Sequence, residues 1–262
     1  MDLSSFRIFT TLIVVLCAVI IIILERVFPY TINQKFLREG FFEDFFLYTF
    51  VQSYVLGLII SGIISYIDSH TKLSNFWTIR KLPLSAQFTF FLITHDFYIY
   101  WFHRLQHNSK ILWRIHEAHH SNKQVDWLSG SRSHVLEILI NQTVEFLPII
   151  LLGASPIIPV AKGAVDAVWG MYIHSNINIK SGFLQHFING PEMHRWHHSD
   201  KVKSLYKKNF STKLAIWDWI FKTAYKPQSS KPEYYGLSDV EFPKNYFKQQ
   251  FFAFRKFNKE ET

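Results

Sequence analysis

Two long runs without a charged residue dominate the first third of the chain. Residues 8–24 form a run of 17 rich in Ile, Val and Leu, and residues 45–67 form a run of 23. An apolar helix of about 20 residues is long enough to cross the hydrocarbon core of a bilayer. Because Glu25-Arg26-Val27-Phe28 follows the first run instead of small residues, we expect an uncleaved anchor rather than a signal peptide. The chain is therefore predicted to be an integral membrane protein.

Three later segments, residues 82–94, 135–152 and 157–173, are apolar but shorter or interrupted by ionisable residues. Lys162 lies inside the last of them, and because a charge is costly in lipid we expect it to face the protein interior. Gly153-Ala154-Ser155-Pro156 predicts the tight turn of a helical hairpin. The expected fold is all-α, a polytopic membrane helical bundle of about 4–5 apolar segments.

The distribution of charge predicts which side of the membrane the polar parts occupy. The chain has 28 Lys and Arg residues against 20 Asp and Glu, and the polar stretches 102–133 and 179–262 are basic. A hairpin between these stretches returns the chain to the same face, which the positive-inside rule makes cytoplasmic. The surplus therefore indicates a membrane surface, not nucleic acid, as the partner. The single cysteine, Cys17, excludes a disulfide framework and a cysteine metal cluster.

The histidines indicate the chemistry. The chain has 13, of which 12 lie between His95 and His198. Three groups stand out: His103-x-x-x-His107, His116-x-x-His119-His120 and His194-x-x-His197-His198. Residues three or four apart share one face of a helix, so each group can present its imidazoles together. Imidazole is a ligand for iron, copper, nickel and zinc, and eight imidazoles exceed the needs of one ion. The spacing predicts two metals close together.

Two other classes of protein use such histidines. His116-Glu117-Ala118-His119-His120 satisfies the His-Glu-x-x-His pattern of zinc metalloproteases, in which the glutamate is the general base. A zinc protease needs about three protein ligands, which would leave the other two groups without a role. We therefore interpret Glu117 as an incidental carboxylate or one that supports a ligand. The other alternative is a non-catalytic metal or haem protein with paired axial histidines. We expect His70, His95 and His186 to be structural.

The histidine groups are embedded in longer motifs. Asp96-Phe-Tyr-Ile-Tyr-Trp-Phe-His-Arg-Leu-Gln-His107 comes first. It is followed by Leu112-Trp-Arg-Ile-His-Glu-Ala-His-His-Ser121, Arg132-Ser-His-Val-Leu-Glu137, His174-Ser-Asn-Ile-Asn178, Gly190-Pro-Glu-Met-His-Arg-Trp-His-His-Ser199 and Asn209-Phe-Ser-Thr-Lys-Leu-Ala-Ile-Trp-Asp-Trp-Ile-Phe-Lys-Thr223. In order and spacing, residues 84–223 resemble the sterol desaturase branch of the fatty acid hydroxylase superfamily. The chain departs from the family pattern at Val135, where proline is common, and at Ser211 and Lys222, where glycine is common.

This resemblance implies a membrane oxygenase that holds two non-haem irons, with zinc able to replace iron in purified protein. Family members use O2 and two electrons to hydroxylate or desaturate a lipid, such as a sterol, a sphingoid base or a fatty acyl chain. Redox-active iron suits this chemistry, because an unactivated C–H bond has no acidic proton and zinc has no accessible redox change. No haem-binding or flavin-binding motif is visible, so we expect a separate electron-transfer partner.

The resemblance also adds His174 as a ninth ligand, so nine histidines are expected to bind metal: His103, His107, His116, His119, His120, His174, His194, His197 and His198. Arg132 and Glu137 are expected to orient ligands by hydrogen bonds, and His134 is either a third such residue or a tenth ligand. Asn178, four residues after His174, is expected to point at the same centre. Asp96 lies two helical turns before His103 on one face. It is expected either to accept a hydrogen bond from a ligating imidazole or to be a polar residue at the helix end.

Three regions follow from these assignments. Residues 1–83 are predicted to be N-terminal membrane anchor segments, and residues 84–223 a domain like the fatty acid hydroxylases and sterol desaturases. Residues 224–262 form a basic, aromatic-rich C-terminal tail. The histidine-rich helices are expected to form a cytoplasmic cap on the membrane bundle.

Overall fold

The computed structural model of the chain describes residues 2–77, 79–200, 207–227, 230–238 and 240–257. Within those ranges the protein is helical, and the extended backbone forms only two isolated bridges, between Pro29 and Ile177 and between Ser199 and Tyr235. The predicted all-α class is confirmed.

The described part of the chain contains nine α-helices. They are α1 (Leu3–Val27), α2 (Ser53–Thr71), α3 (Leu84–Asn108), α4 (Lys110–His120), α5 (Val135–Leu151), α6 (Ile157–His174), α7 (Pro191–His197), α8 (Ile216–Ile220) and α9 (Tyr246–Phe252). A π-helical segment, Glu43–Gln52, runs directly into α2. Short 3₁₀ turns cover Leu73–Asn75, Ile79–Lys81, Ser129–Ser131 and Gly182–His186.

Two helical stretches are long and apolar enough to cross a membrane, namely Leu3–Val27 with 25 residues and Glu43–Thr71 with 29. Both leave most of their apolar side chains on the outside of the protein; Leu12 is 63% exposed and Leu58 58%. Large continuous apolar surfaces of this kind mark contact with lipid or with a partner. No other helix in the described ranges has both the length and the hydropathy of a span, so the figure of about 4–5 apolar segments stays a prediction.

The helices pack in pairs that place the histidine-bearing ends together. α1 packs on α6, α2 on α5, and α3 on α4. In α2 the buried residues Leu56, Ile60 and Ile64 recur every four positions, and this stripe packs against α5. Gly153 turns the chain from α5 to α6 with φ +67, and a Cβ there would lie 2.3 Å from the Ser74 carbonyl oxygen, so the turn requires glycine.

The first helix, α1, and the last described helix, α9, are both hydrogen-bonded to the central part of the molecule. Glu25, in the last turn of α1, accepts hydrogen bonds from the backbone N–H groups of Trp127 (2.8 Å) and Asn176 (2.6 Å). At the other end, the Gln250 side chain of α9 accepts a hydrogen bond from the Val135 N–H at 2.8 Å and so caps the start of α5. The predicted tail region therefore packs against the histidine-bearing part of the molecule.

Candidate metal centre

Four helices bring nine buried or nearly buried histidines into two adjacent groups. The ends of α3 and α6 and the short helices α4 and α7 supply them. The first group contains His103, His107, His116, His120 and His197, and the second contains His119, His174, His194 and His198. Within each group the nitrogen atoms available to a metal all lie within 4.8 Å of one another. These nine are the histidines that the sequence singled out as ligands.

Backbone carbonyls fix the tautomer of four of these nine imidazoles. His103 Nδ1 lies 2.8 Å from the Phe210 carbonyl oxygen, and His197 Nδ1 lies 2.7 Å from that of Lys208. In the second group, His174 Nδ1 is 2.7 Å from the Gly170 carbonyl oxygen. A carbonyl oxygen only accepts hydrogen bonds, so each Nδ1 carries the proton and donates it. The Nε2 atom of each ring is left with a free lone pair, the form that a metal requires.

The lone pairs face one another. His119 Nδ1 also donates to a carbonyl, that of Arg132 at 3.2 Å, and its Nε2 lies 3.2 Å from His174 Nε2. Two lone pairs at that distance cannot share a hydrogen bond and repel each other unless a cation lies between them. Metal–imidazole bonds of about 2.0–2.1 Å place neighbouring ligand nitrogens about 3 Å apart. The donor set therefore fits a bound metal ion.

Burial keeps these imidazoles neutral. Removal from water lowers the pKa of His116 to about 3. It also lowers the pKa of His119 to about 4, with a smaller contribution from the positive charge that His116 would carry. In the first group, the Nε2 atoms of His103, His107 and His197 are buried with no hydrogen-bond partner among the described residues. Unpaired buried nitrogens are costly, and a metal ion would satisfy all three.

Glu137 is the one carboxylate that contacts a histidine of either group in the described structure. Its Oε1 atom accepts a hydrogen bond from His116 Nδ1 at 2.7 Å and another from Gln106 Nε2 at 2.9 Å. A carboxylate in this position fixes the ring orientation and increases the basicity of the opposite nitrogen. Glu137 thus lies where the sequence analysis expected a residue that orients a ligand.

Arg132 acts through its backbone. Its carbonyl oxygen accepts the His119 hydrogen bond, while its guanidinium donates to Asp44 Oδ1 at 2.7 Å. The ion pair links the loop before α5 to the π-helical segment and so holds the carbonyl in place. The side chain itself lies outside the histidine groups.

The structure corrects the expectation for Asp96. The carboxylate accepts hydrogen bonds from Thr212 Oγ1 (2.9 Å), the backbone N–H groups of Lys213 and Leu214 (3.0 Å each), and Trp217 Nε1 (2.9 Å). None of these partners in the described structure is an imidazole. Seven residues separate Asp96 from His103, a rise of about 10.5 Å along α3, which is too far for the expected hydrogen bond. Asp96 instead anchors the segment that precedes α8.

The structure does not bring two further residues to the histidine groups. Of the two roles left open for His134, its contacts support neither, because Nδ1 accepts the Leu136 N–H at 3.1 Å and Nε2 donates to the Gln250 carbonyl at 2.8 Å. Both ring nitrogens are used in capping α5 and binding the tail. Asn178 is exposed, and its backbone N–H donates to the Phe28 carbonyl at 2.7 Å. Its side chain does not point at the centre, since α6 ends at His174 and the chain continues in an extended conformation.

Several residues that hold the histidines in place were not predicted from the sequence. Asp218 accepts the backbone N–H groups of Phe210 and Ser211 at 2.9 Å each and so positions the carbonyl that holds His103. Gly130 leaves room for a ring, because a Cβ there would lie 2.7 Å from His174 Nδ1. Asp218 belongs to the Trp-Asp-Trp part of the last motif, which was a usable signal. A backbone carbonyl acceptor leaves no signal in the sequence.

The histidines expected to be structural lie apart from both groups. His70 and His186 are exposed. His95 lies with Glu145 and Asp166 in a third set of possible ligands. Lys162 Nζ already occupies the centre of that set, at 2.7 Å from His95 Nδ1, 2.5 Å from Glu145 Oε1 and 2.7 Å from Asp166 Oδ2. The ammonium takes the place of a metal cation and links α3, α5 and α6.

Glu117 faces away from the histidines. Both of its oxygens accept hydrogen bonds from the Arg255 guanidinium, with Oε2 at 2.9 Å from Nη2. A metalloprotease needs this carboxylate beside the metal, where it can take a proton from water. The bidentate ion pair instead uses Glu117 to fasten the chain after α9 to α4.

A cavity of about 220 Å³ borders both histidine groups. Its lining includes five of the grouped histidines, His103, His116, His119, His174 and His194, and also His95, Glu145, Asp166 and Lys213. Ile99, Phe102 and Ile173 form part of its wall. A small part of another molecule can therefore lie directly beside the nitrogens of both groups.

The fold and the site together define a class: all-α proteins with long apolar helices and a buried pair of histidine groups suited to two metal ions. Residues 88–223, more than half of the 262-residue chain, match the family model described as fatty acid hydroxylase. The chain belongs to the fatty acid hydroxylase family. The resemblance drawn from the histidine motifs is thereby confirmed.

Its relatives are named for oxidation of lipids. Ornithine lipid hydroxylase OlsE of Rhizobium tropici is 34% identical over 154 residues, which is 59% of this chain and 46% of that protein. Alkylglycerol monooxygenase of Homo sapiens is 29% identical over 160 residues, 60% of this chain and 35% of the relative. Methylsterol monooxygenase 1 of Rattus norvegicus is 29% identical over 133 residues, which is 50% of this chain and 44% of that protein. The chain thus spans about a third to a half of these relatives. No solved structure matches it.

Proposed function

We propose that the protein is a membrane-bound, O2-dependent oxidoreductase that hydroxylates or desaturates a lipid. The observation that carries this proposal is the pair of buried histidine groups, five and four in number, with unprotonated nitrogens that converge within each group. Membership of the fatty acid hydroxylase family and the lipid-oxidising names of its relatives support the same function.

The two histidine groups would hold two non-haem irons, one in each. Bound iron would supply the redox chemistry that reduces O2 for attack on a C–H bond, whereas zinc, which would fit the same nitrogens, has no accessible redox change. The chain itself supplies neutral imidazoles, carbonyls that fix their tautomers, and Glu137 behind His116. These contacts hold the ligand nitrogens in place before a metal binds.

The chain would also bind the lipid and exclude water from the site. The cavity beside the histidines has apolar walls at Ile99, Phe102 and Ile173, so it can accept hydrocarbon and exclude water from the reacting carbon. The exposed apolar faces of α1 and of Glu43–Thr71 would lie in the bilayer that supplies the substrate. Electrons would come from a separate protein that docks on the basic, cytoplasmic face.

The protease alternative has no support in the relatives, and Glu117 lacks the position of a general base. A second alternative, a haem or metal protein without catalysis, predicts no lipid product. Both alternatives and the proposal make different predictions for two residues, Glu117 and His194.

The test is lipid profiling under ¹⁸O2 of cells with the wild-type protein, His194→Ala or Glu117→Gln. We expect His194→Ala to lose the wild-type lipid product, because it removes a second-group nitrogen. Glu117→Gln should keep a measurable fraction, since Glu117 pairs with Arg255 and is not one of the predicted ligands. Full turnover in His194→Ala, or loss in Glu117→Gln alone, would contradict the oxygenase assignment. Metal analysis of the purified variants shows whether each change acts through the metals.

A further inference from the structure

A second cavity lies between α1 and α6. It has a volume of about 580 Å³, within the range of about 300–1,000 Å³ usual for small-molecule sites. Residues spaced three and four apart on α1 and on α6 line its walls: Cys17, Ile20, Ile21, Val168, Trp169 and Tyr172. We call this cavity the α1–α6 groove. Its walls are mainly apolar.

Part of the lining comes from the segment that follows α6. It contributes the polar residues Lys180, Ser181 and Asn189 together with the apolar residues Ile179, Leu184 and Ile188, and Lys180 is exposed. Another wall belongs to α1, a helix long and apolar enough to cross a membrane. A molecule with a polar head and a hydrocarbon chain matches this arrangement, and it could enter sideways from the bilayer without exposing its chain to water.

Trp169 borders both the α1–α6 groove and the cavity beside the histidines. Its ring packs edge-on against Tyr172 at a centroid distance of 5.7 Å. The indole Nε1 is buried and has no hydrogen-bond partner among the described residues. The next residue, Gly170, supplies the carbonyl that orients His174. The Trp169 side chain is therefore part of the wall between the groove and the metal centre.

We propose that the α1–α6 groove binds the reacting lipid by its acyl or alkyl chain, with the head group at Lys180 and Ser181. In this arrangement the chain passes Trp169 to enter the histidine cavity, and the Trp169 ring determines how far the chain reaches toward the metals. Trp169 is thus a specificity-determining residue that positions the chain. This inference rests on the proposed function, because the bound lipid is a substrate only if the protein oxidises lipids.

Cys17 offers a direct test, because it lines the groove and is the only cysteine of the chain. An alkyl methanethiosulfonate transfers its S-alkyl group to the thiolate, forming a mixed disulfide and releasing methanesulfinate. A decyl group attached there would occupy part of the groove, and tethering gives it an effective concentration of about millimolar. A methyl group would leave the groove open.

The primary readout is photocrosslinking of a diacyl lipid with a diazirine in its acyl chain, digested and mapped by mass spectrometry. We expect crosslinks to peptides that contain Cys17 and Trp169, and about a tenfold loss of them after decyl but not methyl modification. Cys17→Ala should be insensitive to both reagents. The matched control is Val15→Cys in the Cys17→Ala background, on the same helix but 55% exposed and outside the groove lining, where decyl modification should have no effect.

Crosslinking needs no bound metal, so it is repeated with His194→Ala. If His194→Ala still gives groove crosslinks but the wild type makes no lipid product, the groove is supported as a lipid-binding site and the proposed function is refuted. If crosslinking and turnover are both unchanged after decyl modification, the proposal that the groove binds the reacting lipid is refuted, and the proposed function is unaffected. Capture of a sterol photoprobe but not of the diacyl lipid would refute the assignment of an acyl or alkyl chain as the ligand of the groove.

Trp169→Ala should shift the modified carbon along the lipid, whereas Trp219→Ala should not. An unshifted product with Trp169→Ala would refute the positioning role of Trp169.

Discussion

Glu137→Gln should weaken metal binding in the first histidine group and spare the second. The carboxylate accepts hydrogen bonds from both His116 and Gln106 through one oxygen, and Glu137 is only 4% exposed. A glutamine keeps an acceptor of the same size but removes the negative charge, so the hydrogen bond to His116 loses roughly half its strength. Changes of this kind typically weaken metal affinity by about 10–100-fold, or about 1.4–2.7 kcal/mol.

The assay is competitive titration of purified, metal-depleted protein with Fe²⁺ under anaerobic conditions against a chelator of known affinity. Wild type should give two binding events, and Glu137→Gln should shift one of them. Glu117→Gln is the matched control, since it changes a glutamate next to His116 in sequence that pairs with Arg255 instead. Two unshifted events in Glu137→Gln, or equal weakening of both, would refute the assigned role of this carboxylate.

Three further outcomes are expected. His119→Ala should reduce bound metal from about two ions to about one per chain, because it depletes only the second group; loss of both would show that the groups bind as one unit. Lys222→Gly should raise the free energy of unfolding by about 1 kcal/mol, since Lys222 has φ +58 and the left-handed conformation favours glycine; thermal unfolding in detergent measures this, and a decrease would contradict it. Lys123→Cys and Pro156→Cys, each in a Cys17→Ser background, should react with an impermeant thiol reagent on opposite sides of sealed vesicles, and labelling from one side would refute the predicted hairpin across the membrane.

The spacing of the histidines predicted eight of the nine that come together, and the family resemblance added the ninth, His174. His116, His119 and His120 lie within about one helical turn, and α4 is a regular helix, so the local periodicity applied directly. The sequence did not show which imidazole joins which group. His119 and His120 are neighbours in the chain but belong to different groups, because adjacent residues on a helix point about 100° apart.

The failed expectations all concern contacts that depend on tertiary structure. The interpretation of Asn178 assumed that helical spacing continues past His174, but the helix ends there. Asp96 was placed on the correct face of α3, yet its partners lie more than a hundred residues later in the chain, and spacing gives no information about them. His134 was assigned by its neighbours in the motif, whereas the tail supplies its partner. Periodicity predicts which side chains share a face, but not which distant segment packs on that face.

The contacts of Glu25 limit how α1 can be truncated in the laboratory and how it can be replaced during evolution. A shortened form without α1, made to obtain a water-soluble fragment, would lose the acceptor for two backbone N–H groups beside the histidines. Each buried N–H without a partner costs about 1–3 kcal/mol, so the centre itself would lose order. The same contacts restrict the exchange of α1 for another hydrophobic helix during evolution. A replacement would need a carboxylate at the position of Glu25, because this helix contributes hydrogen bonds to the histidine-bearing part as well as a long apolar surface.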